Sequence, residues 1–389
     1  MHKLNSWPSF SIEESNKISK VLLSNKVNYW TGEECRNFEI EYAALCNTQY
    51  AIALANGTLA LELALKAIDV KHDDEVIVSP RSFVASASCV KVAGAKPIFA
   101  EVDSNIGNIS ANSIKTQISE KTKAVICVHI TGHPCEMDEI LDLCRKNNIW
   151  LIEDCSQAHG AKYKNQPVGS IGDIGCFSFC QDKIITTGGE GGMVVTNNKN
   201  LWEKMWSYKD HGKSFSKMFE EKQNYGFKWV HDSIGSNYRM TEMQAAIGRL
   251  QINKLDEWNH LRQKNAERII NSLAKFPEVY RIPEVKSYMQ HAWYKLNIFL
   301  KDSALVIIKP VDLINLFTEA GVPCFAGPCP EIYLEKSFEN NKAHSCRLSN
   351  ARKLGETSIM FLVHPSFSDE DLKFICSTIE KISKGIKVV

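Results

Sequence analysis

The sequence predicts an α/β protein: a large domain built on a mostly parallel, doubly wound sheet of seven strands, with a smaller α+β unit at its C-terminal end. Three observations carry this. Between about residues 50 and 200, short apolar runs alternate with amphipathic helical stretches. Those runs are continuously apolar, the pattern of strands covered on both faces. Strand–helix–strand repetition, in turn, folds into a parallel sheet with helices on either side. At 389 residues the chain is also too long for one simple core.

Taken in order, residues 1–30 read as an N-terminal arm and 31–250 as the large domain. Strands are expected at YAIAL (50–54), DEVIVS (74–79), KPIFAEV (96–102), KAVICVHI (123–130), IWLIEDC (149–155), GCFSF (175–179) and MVVTN (193–197). Between them TLALELALKAI (58–68), FVASASCVKVA (83–93), NSIKTQIS (112–119) and EMDEILDLCRKNN (136–148) have helical spacing. The stretch from Thr241 to Phe276 reads as one long helix, and 251–275 is its bridging part. The small domain, 276–389, contains strand-like HAWYKLNIFL (291–300) and SIMFLVHP (358–365), helix-like VDLINLFTEAG (311–321), and a C-terminal helix over 368–382. Ser368, followed by Glu370 and Asp371, fits an N-cap with acids in the first turn. The segment CFAGPCPEIYLEKSFENN (324–341) reads as a loop.

Composition narrows the function classes. The hydrophobic share of 44% and charged share of 23% are ordinary for a globular protein. A net charge of +1 gives no bulk attraction to nucleic acid or to an acidic membrane. The N-terminus has no apolar leader, and no run approaches the ~20 apolar residues of a spanning helix, so a mature, soluble, cytoplasmic protein is expected. Thirteen cysteines show no CxxC pair and sit in apolar segments, as reduced buried side chains do; neither a disulfide framework nor a metal site is expected.

Ligands of such sheets bind at the carboxyl ends of the strands. Three strand-ending segments have chemistry to offer. In ALANGTLALELAL a strand ends, Gly57 permits a tight turn and Thr58 can cap the next helix, leaving N–H groups free for a phosphate. Such starts are also common without a ligand. In WLIEDCSQAHG the acids Glu153 and Asp154 close an apolar strand, where a buried carboxylate needs a cationic or hydrogen-bonded partner. In GCFSFCQDKIITTGGEGGMVV a lone lysine, Lys183, follows a buried strand. It is either a solvated charge or an amine whose partial desolvation suits it to Schiff-base chemistry. Together the three are the anchors that pyridoxal 5′-phosphate needs: an imine lysine, an acid for the ring nitrogen and a helix start for the phosphate.

These segments, with TGEECRNFEIEYAAL, DDEVIVSPRSFVASA, GAKPIFAEVD, VHITGHPCEMDEI and GSNYRMTEMQAAIGRLQINKLD, resemble the DegT/DnrJ/EryC1/StrS sugar aminotransferases, from about Trp30 to Leu255. The resemblance implies the aspartate-aminotransferase type of fold (type I of the pyridoxal-phosphate enzymes) and a homodimer with shared sites. It makes Lys183 the Schiff-base lysine and proton shuttle, Asp154 the partner of the ring nitrogen and Gln157 that of the ring hydroxyl. Gly57, Thr58 and Ser178 would hold the phosphate, joined by Asn237 from a partner subunit, with Phe83 stacked on the ring. The reaction implied is ping-pong transfer from glutamate to a carbonyl sugar. Dehydratases among the relatives have histidine in place of the lysine, so Lys183 favours amino transfer over a sugar dehydratase.

The acceptor is where this chain departs from those relatives. VHITGHP stands where many read VHLYGxP, and the usual Tyr-x-Pro-Leu-His segment is missing from the C-terminal part. That part is more similar to transaminases that make 8-amino-3,8-dideoxy-manno-octulosonate for lipopolysaccharide. It implies 8-oxo-3-deoxy-manno-octulosonate as acceptor, with a nucleotide-linked keto-hexose as the alternative. Candidates to bind an acceptor's anionic group are Arg81, His133, His211 and Arg239, with Lys209 and Lys213 read as solvated surface.

Overall fold

The computed structural model describes residues 2–221, 227–338 and 347–387. Seven strands form its main sheet: β1 (Tyr50–Leu54), β2 (Glu75–Val78), β3 (Lys96–Phe99), β4 (Thr122–Val128), β5 (Trp150–Asp154), β6 (Ile174–Ser178) and β7 (Gly192–Thr196). They lie in the order β1-β7-β6-β5-β4-β2-β3. From β3 to β6 all neighbours are parallel, whereas β7 runs antiparallel to both β6 and β1. The glycine-rich segment 188–192 returns the chain straight from β6 to β7, and a connection without a crossover helix can only make an antiparallel pair. The sheet is therefore the expected one, mostly parallel and seven-stranded.

Its strands are buried on both faces, which explains their unbroken apolar runs. Ile52 and Leu54 join a core with helices Gly57–Ala67, Ala85–Val92 and Lys199–Lys209, while their neighbours Ala51 and Ala53 join Phe38 and Tyr42 of helix Glu34–Leu45 on the other side. Two corrections concern helices. The arm contains a helix of its own, Ile12–Leu23, signalled only by the Ser11–Glu14 capping box. The long stretch after Thr241 is two helices, Glu242–Ile252 and Leu255–Leu273, broken at Asn253–Lys254. Asparagine competes for nearby backbone groups, and the Asn253 side chain indeed donates to the Arg249 carbonyl at 3.2 Å. Just before the break, buried Gln251 is fixed between the Thr186 N–H and Glu14, so the first helix cannot run on in line with the second.

The second of these helices joins two cores. Leu255 packs beneath the main sheet, and Ala266, Ile269 and Leu273 pack beneath a four-stranded antiparallel sheet of Tyr280–Arg281, Leu296–Leu300, Ser358–Phe361 and Cys324–Phe325. Helix Asp369–Ser383 covers that sheet, capped by Ser368 and Asp371 in a reciprocal box. Two strands are shorter than their sequence patterns. The run 291–300 is extended only from Leu296, because Trp293 sits at φ 50°, and the run 358–365 ends at Phe361. Segment 324–341 is irregular as expected, with 3-10 turns at Ile332–Leu334 and Lys336–Phe338; its last residues, 339–341, lie outside the described residues. Every described cysteine is free. No described helix is long and apolar enough to cross a membrane.

Candidate active site

A cavity of about 760 Å³ opens at the carboxyl ends of β5 and β6. Its floor includes Asp154, Gln157, Ser178 and Lys183, one wall is the helix start at Asn56–Leu59, and Gly327, Pro328, Cys329 and Met360 roof it. The roof is tied down where the Ser82 N–H donates to the Cys329 carbonyl at 3.2 Å.

The helix start differs in detail from its sequence reading. Asn56, not Thr58, is the N-cap: its Oδ1 accepts the Leu59 N–H at 2.9 Å. An amide side chain caps as well as a hydroxyl does, and here it leaves the Thr58 hydroxyl facing the cavity. Gly57 makes no left-handed turn. It is glycine because a Cβ there would stand 2.5 Å from the Ser178 Cβ. The close approach brings the helix N-terminus, with N–H groups that have no intrahelical acceptor, against the Ser178 hydroxyl.

At the end of β5 the two acids point to opposite sides, since successive strand residues alternate faces. Glu153 is fully buried and accepts the N–H groups of Gly169, Ile171 and Gly172 at 2.6–2.8 Å. It also pairs with His129 Nε2 at 3.0 Å. The Cys135 N–H donates to His129 Nδ1 at 3.0 Å, which leaves Nε2 as the nitrogen that donates to Glu153. Glu153 thus holds the 169–172 loop. Asp154 faces the cavity, buried, accepting from the Ser86 hydroxyl at 2.7 Å and the Ser156 N–H at 3.1 Å.

Ser178 is braced from below. Its carbonyl accepts from His159 Nε2 at 2.9 Å, while His159 Nδ1 takes the Tyr42 hydroxyl proton at 2.7 Å. Burial pushes the His159 pKa down to about 3, so the ring stays neutral.

Lys183 sits in the loop after β6, its side chain 15% exposed. Its Nζ lies 3.5 Å from the Tyr294 hydroxyl and 3.7 Å from Asp182 Oδ1. Tyr294 donates to Asp182, and Lys295 Nζ donates to the same carboxylate at 3.1 Å. Burial works to raise the Asp182 pKa, but Lys183, Tyr294 and Lys295 together hold it below the ordinary carboxylate range. Tyr294 and Lys295 were not legible as site residues, because the strand pattern around them carries no sign that the chain turns at Trp293. Two backbone bonds fix them beside the cavity: Ala292 N–H to the Gly132 carbonyl (2.9 Å) and Tyr294 N–H to the Thr131 carbonyl (3.1 Å). Thr131 is itself left-handed, at φ 54°, and its N–H donates to Gln157 Oε1 at 2.7 Å.

Of the other expected site residues, Phe83 is exposed and lines the cavity. Asn237, His211 and Arg239 do not line it: Asn237 and His211 are exposed, His211 with φ 60°, while Arg239 is bridged to Leu54 at the end of β1 and pairs with buried Asp210 at 2.8 Å. Arg81 and His133 are buried elsewhere. Arg81 donates to the Ile106 carbonyl at 3.3 Å and packs over Phe299; His133 bonds the Pro134 carbonyl at 2.9 Å beside His291. Lys209 is not solvated surface but completely buried, 3.6 Å from Glu39 and 3.6 Å from the centre of the Tyr29 ring. Lys213 is mostly covered, paired with Asp210 at 3.0 Å.

The donor set fits pyridoxal phosphate. An open helix N-terminus with two hydroxyls suits a phosphate, a buried carboxylate braced by hydrogen bonds suits a protonated ring nitrogen, and a covered amine lies in the same cavity.

Comparison with known proteins gives consistent results. The sequence profile of the DegT/DnrJ/EryC1/StrS aminotransferase family matches residues 9–380. The chain is 34% identical over 378 residues to a GDP-perosamine synthase of Escherichia coli O157:H7, covering 96% of each. Its fold superposes on an aminotransferase from Psychrobacter cryohalolentis with a TM-score of 0.97 and 47% identity, over 98% of this chain and 99% of that one. Helicobacter pylori PseC, an aminotransferase involved in the biosynthesis of pseudoaminic acid, superposes with a TM-score of 0.88 and 25% identity over 99% and 100% of the two chains.

Proposed function

The chain belongs to the DegT/DnrJ/EryC1/StrS aminotransferase family, and on that premise we propose that it moves an amino group from glutamate to the carbonyl of a nucleotide-linked keto-hexose, as a homodimer with shared sites. It is a pyridoxal-phosphate-dependent sugar aminotransferase. The observation that supports the assignment of roles is the convergence of Lys183, Asp154 and the Gly57 helix start on one cavity.

When bound, the cofactor supplies an electron sink that lets a Cα–H bond of an amino acid be broken. Thr58, Ser178 and the helix N–H groups would hold its phosphate. Asp154 would keep the ring nitrogen protonated, Gln157 would meet the ring hydroxyl and Phe83 would cover the ring. Lys183 Nζ takes the proton from the donor's Cα and later returns a proton to the new amine's carbon, acting as general base and then as general acid.

One consideration favours a nucleotide-linked acceptor over 8-oxo-3-deoxy-manno-octulosonate: the GDP-perosamine synthase similarity extends over nearly the whole chain. The homodimer is supported by the exposed lobe around Asn237, where Phe227, Trp229 and Ile234 are 81%, 82% and 91% exposed, an apolar surface that asks for a partner.

The test is 2-oxoglutarate release from glutamate with nucleotide-linked keto-hexoses and with the octulosonate aldehyde offered side by side. Turnover with a nucleotide-linked keto-hexose is expected. Turnover with the octulosonate alone would reverse the choice of acceptor, and loss of water from the sugar without consumption of glutamate would indicate a dehydratase.

A further inference from the structure

Tyr294, Asp182 and Lys295 surround the Lys183 amine, yet none of them holds a phosphate or a ring. They form a line. Lys183 Nζ donates to Tyr294 Oη at 3.5 Å, Tyr294 O–H donates to Asp182 Oδ2, and Lys295 Nζ donates to that same oxygen at 3.1 Å. The line leads outward: the Lys183 side chain is covered, whereas that of Asp182 is 49% exposed.

Both ends are held. The Tyr294 carbonyl accepts from Arg262 Nη1 at 3.2 Å, and its N–H is fixed by Thr131. The Lys183 carbonyl accepts from the Trp7 indole N–H at 2.9 Å, so the N-terminal arm pins the lysine's backbone from the other side. The remaining titratable groups near the amine are Cys180 and Glu190 on its own loop, Asp154 and His159 beyond β5, and Arg262 on helix Leu255–Leu273. Among the described residues, the side chain hydrogen-bonded to the amine is that of Tyr294.

We propose that Tyr294 and Asp182 are the proton outlet of Lys183, a relay that turns its ammonium into the free amine when the protein captures the cofactor as its free aldehyde. This rests on the reading of Lys183 given above. An amine adds to a carbonyl only as the free base. The ammonium passes one proton to Tyr294 Oη as Tyr294 passes its own to Asp182 Oδ2, and Asp182 releases that proton to water. Tyr294 ends neutral, Asp182 ends a carboxylate, and one proton has left the site. The freed nitrogen then forms its bond to the aldehyde carbon, and the carbonyl oxygen departs as water. Asp182 is suited to the last position because its three partners keep it ionised, and Tyr294 to the middle one because burial and the Asp182 charge raise its pKa well above the usual phenol value, so it passes a proton on without staying ionised.

The experiment is capture of pyridoxal 5′-phosphate by the protein stripped of cofactor, followed as growth of the visible band over a range of pH. Tyr294→Phe keeps the ring in place and removes only the hydroxyl. Capture near neutral pH is expected to slow about tenfold, with the deficit shrinking at high pH where free amine is abundant and with equilibrium affinity changed by no more than about threefold. Asp182→Asn, at a half-exposed position, is expected to slow capture similarly and serves if the Tyr294 variant fails to fold. A rate and pH profile equal to wild type in a folded variant overturns the relay. Lys183→Ala runs beside them: if it still forms the visible band, the reading of Lys183 fails instead, and the two failures are told apart.

Discussion

Replacing Gly57 by alanine tests whether the helix start is the phosphate holder. The added Cβ would lie 2.5 Å from the Ser178 Cβ and 3.0 Å from its Cα and Oγ, where ordinary contact begins at 3.4 Å. Something must move by about 1 Å, and neither side yields freely. Ser178 is paired with Gly192 of β7 and anchored at its carbonyl by His159. The helix start is held by the Asn56 cap. A shift of that size forfeits about one charge-assisted hydrogen bond to a phosphate, worth roughly 1.5–3 kcal/mol, or about ten- to a hundredfold in affinity. Overpacking strain of about 1–3 kcal/mol is partly offset by the better helix propensity of alanine, by about 1 kcal/mol, so the stripped protein should lose little stability. Titration of stripped protein with pyridoxal phosphate, read by absorbance, gives the affinity, and urea unfolding gives the stability. Thr58→Val, which removes one hydroxyl and adds no clash, should weaken binding less. Wild-type affinity in Gly57→Ala would refute the cradle, since the clash lies directly on it.

Four further outcomes are expected. Asp154→Asn keeps Oδ1 for the Ser156 N–H and lets the Ser86 hydroxyl turn to accept from the new amide, but it cannot hold a proton on a ring nitrogen by charge, so kcat should fall by about a hundredfold or more with the unfolding midpoint changed far less. Glu153→Gln leaves one oxygen to satisfy three N–H groups and should cost about 3 kcal/mol or more in urea unfolding, with the 169–172 loop the first region to exchange amide hydrogens. His159 has its folded pKa pushed down to about 3 from an ordinary 6.5. The unfolded chain therefore binds the extra proton first, and the stability His159 contributes is complete above pH 6.5 and is lost as pH falls from there toward 3; His159→Gln should flatten that part of an unfolding-midpoint-against-pH curve. Finally, if sites are shared across a two-fold dimer, Lys183→Ala and Asn237→Ala should each be nearly inactive alone and recover up to about a quarter of wild-type activity when mixed and refolded; if each chain is complete by itself, Asn237→Ala alone keeps its activity and mixing adds nothing.

What could be read in the sequence, and what could not, divides on a physical line. The seven strands, and the cavity positions of Gly57, Asp154 and Lys183, follow from local signals: an apolar run, the polar residue that ends it, and the rule that ligands gather at the carboxyl ends of strands; Ser178 comes only with the family resemblance. Tyr294 and Lys295 come from a segment more than a hundred residues beyond Lys183, placed by the left-handed turns at Thr131 and Trp293, and no periodicity announces a backbone conformation of that kind. Lys209 was misread for a related reason. Whether a lysine is solvated or buried depends on its distant partners, here Glu39 and the Tyr29 ring, and these are brought to it by tertiary structure alone. The cap falls on Asn56 and not on Thr58 two residues later, because either side chain can accept an N–H and only the register of the turn decides.

The same division explains why the reaction is easier to derive than the acceptor. Lys183, Asp154 and the Gly57 helix start hang on strand ends whose geometry the sheet dictates, and chemistry on the cofactor needs little more. A sugar must be met by whatever else faces the cavity. In this chain that means Gly327, Pro328, Cys329 and Met360 overhead and Tyr294 and Lys295 at the side, all drawn from the second unit and, apart from Met360 in its inner strand, from irregular segments. Three of the four roof residues have no charge and little hydrogen-bonding capacity beyond their backbone, and the fourth is a cysteine. A roof of that kind can select by shape but cannot by itself grip an anion. The anionic part of any nucleotide-linked sugar must therefore lie outside the roof, toward the mouth, which is where the partner's lobe would have to bring cationic groups. If the refolded Lys183→Ala and Asn237→Ala mixture restores turnover of a nucleotide-linked sugar but leaves its KM raised in Arg239→Ala dimers, the mouth and not the roof sets the acceptor; an unchanged KM would return the specificity to Lys295 and the roof.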